Sequence, residues 1–280
     1  MQFTRMLLPL FGLGLGLVSA ILSAQTTPMP NLIGHWPMDI CSTEFDNNII
    51  DVISEHHAIG KIGTAIENEG QYCQSGRLNG NGAHIYIPDA PHLRGAQGAL
   101  TFWFKVDDLA FTSDAMQGGQ YLYSRDSLDK DLGGHLTSWL NNDGSLHLRY
   151  QTNAQDYFIH TDDQIIVAGQ WYFYAVTWDN VTTKLYINGE LIGENAQSTG
   201  SQENNPEPMV FGGNARRSSQ AETTPDDLRD FFKGNIDDIR WYDGPIGPTG
   251  LVELKTAQQY ECSACGDDSS RSLVAEYRFS

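Results

Sequence analysis

Carboxylates, aromatic rings, eight histidines and four cysteines are the groups able to do chemistry in this 280-residue chain. Asp126, Asp129 and Asp131 crowd into one Gly-containing stretch. Calcium takes such loop carboxylates together with backbone carbonyls, so these three are a candidate cation site. Asp237 and Asp238 are adjacent, and successive strand residues point to opposite faces, so the two are not expected to act as a pair on one substrate. The motifs of several other chemistries are missing. There is no G-x-S-x-G, no H-E-x-x-H and no G-K-[ST] loop, so serine hydrolase, zincin and P-loop readings have no support. His56-His57 is a pair without metal-ligand spacing elsewhere, and Asn180-Val181-Thr182 is a glycosylation sequon that reads as a turn.

The cysteines are Cys41, Cys73, Cys262 and Cys265, and four thiols allow three pairings. Cys41 with Cys73 would staple the N-terminal region to the segment before Arg77, leaving Cys262 and Cys265 as a local bridge. Closing that first loop stabilises a fold by ~3–4 kcal/mol on the chain-entropy view. Cys262-x-x-Cys265 as half of a zinc site or as a redox pair would need a second Cys/His pair or a βαβ context, and neither is present.

Residues 1–24 read as a signal peptide. Arg5 supplies the positive start, 6–22 is apolar and Ser23-Ala24 ends small. The expectation is an exported protein, secreted or at the cell surface, with cysteines in an oxidising compartment. No other long apolar segment occurs, so the mature chain is not expected to span a membrane. A net charge of −18 argues against nucleic acid and anionic membranes, which need a basic surface.

The elements that must hold these groups are strands. Residues 169–194, GQWYFYAVTWDNVTTKLYINGELIGE, read as three short strands and two tight turns. Aromatic and β-branched residues fill 171–178, and Asn188-Gly189 suits a type I′ turn. In 100–106, Leu100, Phe102, Phe104 and Val106 share one face, with Thr101, Trp103 and Lys105 on the other. Further strands fall at 121–125, 135–140, 145–151 and 157–160, with a hairpin turn at 141–144.

Several blocks carry a family resemblance. W-x-x-x-A-V-T-W-D…K-L-Y-I-N-G-E-L-I-G resembles the centre of a LamG-like (laminin-G/concanavalin A-like) jelly-roll domain. LIGHWPMD at 32–39, DVISEHHAIG at 51–60, RLNGNGAHIYIPD at 77–89 and FKGNIDDIRWY at 232–242 follow that family's block order. Glu55 and His56 replace the Gly and Asn that the family places in the 51–60 loop. The resemblance implies an all-β, two-sheet antiparallel sandwich over 31–244, with 245–271 as a linker. Residues 272–280, SLVAEYRFS, resemble 31–39 and read as the start of a second, truncated repeat or as a last strand of this domain. A Cys-x-x-Cys linker before such a restart is similar to proteins around the mannose-sensitive haemagglutinin (MSHA) type IV pilus of bacteria.

The resemblance also implies a function. Such domains mostly bind glycan or protein ligands, and the solvent-side candidates are Trp103, Tyr123, Arg125, Trp139, Arg149 and Trp178. Related domains hold a cation where Asp126, Asp129 and Asp131 fall, and the fold would also bring Asp39, Asp51 and Asp238 together near the first and last strands. Calcium is therefore an expected cofactor. Sandwich glucanases carry E-x-D-x-E and jelly-roll lyases Q-[IV]-H. Neither occurs, since Gln164-Ile165-Ile166 lacks the histidine. A non-catalytic recognition module is expected, with a structural spacer or a glycan-active enzyme as alternatives. Oligomeric state is not legible.

Overall fold

A computed structural model describes residues 28–39, 46–110, 119–126, 135–153, 155–198, 205–215 and 228–257. The 1–24 leader, Cys41, Cys262, Cys265, Asp129, Asp131 and the 272–280 segment lie outside the described residues. Cys73 is disulfide-bonded, and its partner also lies outside them. Among the described residues, no helix is long and apolar enough to cross a membrane.

Among the described residues, sixteen strands and a short α-helix follow in chain order. They are β1 (Leu32–Trp36), β2 (Asn48–Ile49), β3 (Ala58–Lys61), β4 (Ala65–Glu67), β5 (Ser75–Asn79), β6 (His84–Ile87), β7 (Gly98–Val106) and β8 (Gln120–Arg125). Then come β9 (Leu136–Leu140), β10 (Leu146–Gln151), β11 (Asp156–His160), β12 (Trp171–Trp178), β13 (Thr183–Ile187), β14 (Glu190–Asn195), β15 (Met209–Phe211), β16 (Lys233–Tyr242) and α1 (Pro248–Thr256). They form two antiparallel sheets. The first runs β14-β13-β12-β7-β16-β5-β4, with β1 also on β16, and the second runs β11-β10-β9-β8-β15-β6-β3-β2. The chain is thus the all-β jelly-roll sandwich that the resemblance implied.

The expected local signals are in place. Asn188 and Gly189 both take positive φ, 55° and 84°, and join β13 to β14. Leu100, Phe102, Phe104 and Val106 point into the core between the sheets. Phe102 stacks on Tyr174 of β12 at 4.5 Å and meets Phe211 of the other sheet edge-on at 5.4 Å. Aromatic pairs in such geometries add to the burial that drives the sheets together.

The first sheet is covered on both faces. Ile246, Leu251 and Leu254 pack on its outer side with Ala99, Trp103, Phe173, Ala175 and Tyr186. Residues 245–256, expected in a linker, therefore belong to the domain. Pro248 at the first helical turn starts α1 favourably, and burial of Leu251 and Leu254 holds it. A helix this short is marginal alone and depends on that packing.

β1 and β5 lie end to end along one side of β16, with β7 on the other. The β16 register shifts between Asp237 and Arg240, and Asp238 takes a left-handed φ of 53°. This bulge breaks strand alternation, so Asp237 and Asp238 enter one buried polar cluster instead of facing apart. Arg240 is as buried as Asp238 and grips it from Nη2 at 2.9 Å, while His35 of β1 meets the same carboxylate at 2.8 Å. Burial opposes ionisation of Asp238, but Arg240 and His35 outweigh it and hold the carboxyl down at about 2. Burial lowers the pKa of His35, which sits there as a neutral donor.

Two predictions follow from this frame. Asp238→Asn keeps a residue that tolerates positive φ but leaves Arg240 a buried, unpaired charge, so urea denaturation at pH 7 should show a loss of about 3–5 kcal/mol. The folded pKa of Asp238 lies below its ordinary 3.8, so its contribution is full above pH 4 and vanishes as pH falls towards 2. The variant and the wild type should converge in that window. At Gly234 a Cβ would meet the backbone oxygen of Lys105 at 2.1 Å, so Gly234→Ala forces the two central strands apart and should cost about 2–3 kcal/mol in the same assay.

Candidate functional site

The outer face of the second sheet presents the most organised set of polar and aromatic side chains. In β9, β10 and β11, Leu136, Leu140, Leu146, Leu148, Tyr150, Tyr157 and Ile159 fill the core. Alternation sends Thr137, Trp139, His147, Arg149, Phe158 and His160 to the other face. Register then aligns them. Tyr121 pairs with Trp139, Trp139 with His147 and His147 with His160 across four strands.

Residues directly opposite on one face approach closely, and here their rings form a ladder. Tyr121 stacks on Trp139 at 5.5 Å, Trp139 on His147 at 5.2 Å, and His147 meets His160 at 4.5 Å. Phe158 lies parallel to His160 at 5.8 Å. The ladder passes from a covered end to an open one: Tyr121 is 3% exposed and Trp139 4%, while Phe158 at the edge strand β11 is 40% exposed. Because the inner rings occupy one another's faces, a ligand meets imidazole edges and the free face of Phe158.

The polar partners are fixed as well. His147 and His160 share a hydrogen bond between their Nδ1 atoms. Asn141 donates its amide N–H to Nε2 of His147 at 2.6 Å, which leaves the His147 hydrogen on Nδ1. Burial, then the neighbouring His160, lower the pKa of His147, with Asp143 opposing. Arg149 donates from Nε and Nη2 to the two oxygens of Asp156 at 3.0 and 3.3 Å. Its Nη1 lies 3.8 Å from Asp126, which pairs with the buried His135.

Of the six expected ligand contacts, Trp139 and Arg149 lie on this face, Trp139 itself being buried, and the other four are buried elsewhere. Tyr123 is wholly buried against Phe211, and Trp178 packs on Trp241 at 5.2 Å. Arg125 is 1% exposed and donates to the backbone oxygens of Leu93, Asn205 and Glu207 and to Asp89. It pins two loops together. Trp103 lies on the outer face of the first sheet, beneath α1 and edge-on to Tyr72 at 6.0 Å. Large residues on both faces of β7 and β12 signalled two covered faces, not an open one.

The expected acidic clusters are also redistributed. Asp126 is committed to His135 and Arg149. Asp51 accepts the N–H groups of His35, Ile53 and His56 and the hydroxyl of Ser54. Burial would raise its pKa, but these bonds hold it below the ordinary value. Asp51, Asp39 and Asp238 thus do not converge on one point, because His35 stands between the first and the last. Among the described residues, no group of three or more His, Cys, Asp or Glu side chains is placed to hold a metal ion. Ser54 also contacts His92 at 3.2 Å, yet the carboxylate bonds the serine and not the imidazole, which is the wrong order for activating a nucleophile.

Tyr121, His147, Phe158 and His160 were not expected at the site. The signal was present: the alternation of Leu146, Leu148 and Tyr150 implies that His147 and Arg149 share the opposite face. Which partners flank them depends on register between strands.

The fold has known relatives. The Laminin_G_3 family, described as concanavalin A-like lectin/glucanases superfamily, matches residues 79–249. No curated protein sequence matches the chain. Among solved structures, the binding domain of Paraclostridial Mosquitocidal Protein 1 is similar at 19% identity and TM-score 0.60, over 80% of this chain and 52% of that one. Domain 4 of AbnA, a GH43 extracellular arabinanase from Geobacillus stearothermophilus, solved with arabinotriose, is similar at 19% identity and TM-score 0.57, over 81% of this chain and 98% of that domain. The receptor binding domain of botulinum neurotoxin C/D mosaic serotype follows at 14% identity and TM-score 0.51, over 80% and 50%. The chain spans about half the length of the two toxin domains it resembles. With a match across more than half its residues, the chain belongs to the Laminin_G_3 family of the concanavalin A-like lectin/glucanases superfamily.

Proposed function

We propose that this protein is a non-catalytic recognition module, exported by its leader and working outside the cytoplasm, that binds a glycan on the outer face of the second sheet at the β10–β11 edge. The observation that carries the proposal is the ring ladder ending in the exposed pair Phe158 and His160. A sugar has an apolar C–H face and a rim of hydroxyls. Phe158 offers a ring face for the first. The Nε2 edge of His160 and the remaining N–H groups of Arg149, held by Asp156, offer hydrogen bonds for the second. The site is preorganised, since its rings are already stacked and its arginine already oriented, which limits the ordering cost of binding.

Two circumstances support a binder over an enzyme. Domain 4 of AbnA, 98% of whose length the fold matches, was solved with arabinotriose. The chain also lacks the carboxylate run of sandwich glucanases and the Q-[IV]-H strand of jelly-roll lyases.

A glycan array followed by calorimetry on the full mature chain tests this. Binding to one glycan class is expected, and Phe158→Ala should weaken it about tenfold, the value of one good ring contact. Trp103→Phe, placed on the far sheet beneath α1, should leave affinity unchanged. A loss caused by Trp103→Phe but not by Phe158→Ala would place the site elsewhere. Absence of binding across the array would favour a structural spacer.

A further inference from the structure

The charges around the β10–β11 edge restrict which sugar the face can take. On β11 the exposed residues are Asp156, Phe158 and His160, and they stand opposite Gln151, Arg149 and His147 of β10. Arg149 is the one Arg or Lys in β9, β10 and β11. Its Nε and Nη2 donate to the two oxygens of Asp156, diagonal to it across the strands, and its Nη1 lies 3.8 Å from Asp126. One guanidinium thus faces two carboxylates. His147 adds no charge at neutral pH, because burial and then His160 lower its pKa.

The other end of the same strand pair is acidic too. Asp143 lies in the β9–β10 turn, Asp162 and Asp163 follow β11 directly, and all three are exposed. The backbone N–H of Gln164 bonds the carbonyl of Asp143, which brings the two stretches together. The hydroxyl and N–H of Ser145 hold the Asp143 carboxyl below its ordinary range, so it is an anion at neutral pH. A carboxylate or sulfate on a sugar docked against Phe158 would therefore approach acids at both ends. Displacing Asp156 from Arg149 does not relieve this, since the displaced carboxylate stays beside the incoming one and the two share one guanidinium. Like charges set side by side select against a ligand. A neutral sugar meets no such penalty. Each of its hydroxyls donates and accepts, so two adjacent hydroxyls can accept from the remaining N–H groups of Arg149 and donate to the carboxylate of Asp156. Hydrogen bonds to charged partners are the stronger kind.

We infer that Asp156 is the specificity-determining residue of this face: by masking Arg149 it makes the edge select neutral sugars with adjacent hydroxyls and refuse uronic, sialic and sulfated ones. The inference rests on the glycan reading of the β10–β11 edge and deepens it. With Asp156 neutralised, the fork of Arg149 is open, and a planar guanidinium fork fits a carboxylate with two parallel bonds. One carboxylate therefore decides between two classes of ligand. The discrimination is a charge effect at an exposed edge, so it weakens as salt screens it.

The test is a glycan array that carries neutral oligosaccharides beside their uronic, sialylated and sulfated counterparts, galactotriose beside trigalacturonate and lactose beside sialyllactose among them. Calorimetry on the full mature chain at neutral pH then compares the strongest binder with its counterpart. The wild type should bind the neutral member about tenfold more tightly or better, and the gap should narrow towards about 0.5 M salt. Asp156→Asn keeps the shape of the side chain, and exposed ion pairs contribute little to stability, so the variant is expected to fold. It should close or reverse the gap by tightening the acidic member. Asp143→Asn makes the same change in net charge without uncovering Arg149 and should keep most of the gap. An acidic glycan bound by the wild type as tightly as its neutral counterpart, or an unchanged gap in Asp156→Asn, would overturn the inference and leave the glycan reading standing. An array without any binding would overturn that reading, and this inference with it.

Discussion

β16 is held by strands along both sides, and every layer of the protein refers to it. β7 hydrogen-bonds one side, and β5 and β1 share the other end to end. The bulge at Asp238 is where the β5 contact gives way to the β1 contact, and there Arg240, Asp238 and His35 bond one another out of water. A buried ion pair adds little net stability over a hydrophobic substitute, yet it is intolerant of losing one member. The His35 contact ties register to this pair: a slip of β1 along β16 would part His35 from Asp238, while Arg240, on the same strand as Asp238, would stay paired.

Covering both faces of the first sheet has a consequence for function. α1 and the segment before β1 close its outer side, and the second sheet closes its inner side. Trp103 and Trp178, conspicuous in the sequence, therefore serve as packing. The second sheet carries the buried residues Tyr86 and Val210 at the middle of its outer face, packed with Ala215 and Leu228, and is open towards β11. The exposed aromatic surface is displaced to that edge, where rings emerge progressively from cover. Rigidity comes from the stacked interior rungs and access from the last one.

Between the two sheets the core is apolar and aromatic, with Phe102 in contact with both Tyr174 of its own sheet and Phe211 of the other.

The sequence by itself determined the class of fold, the face of each long strand and the tight turn at Asn188-Gly189, because period-two alternation and positive-φ residues are local signals. It also named Trp139 and Arg149 among the candidates for an outer face. Tertiary structure decided the rest. Whether an aromatic face is a surface or a second core depends on what lies over it, and α1 is too short and too weakly patterned to announce that it covers Trp103. Whether Asp237 and Asp238 diverge or converge depends on a bulge that spacing in one chain does not encode. Whether four rings form a ladder depends on register between strands whose partners lie 8 to 18 residues away along the chain, from Trp139 and His147 to Tyr121 and Trp139. Such pairings are set by the packing of whole sheets, and a local stretch of sequence carries no record of them.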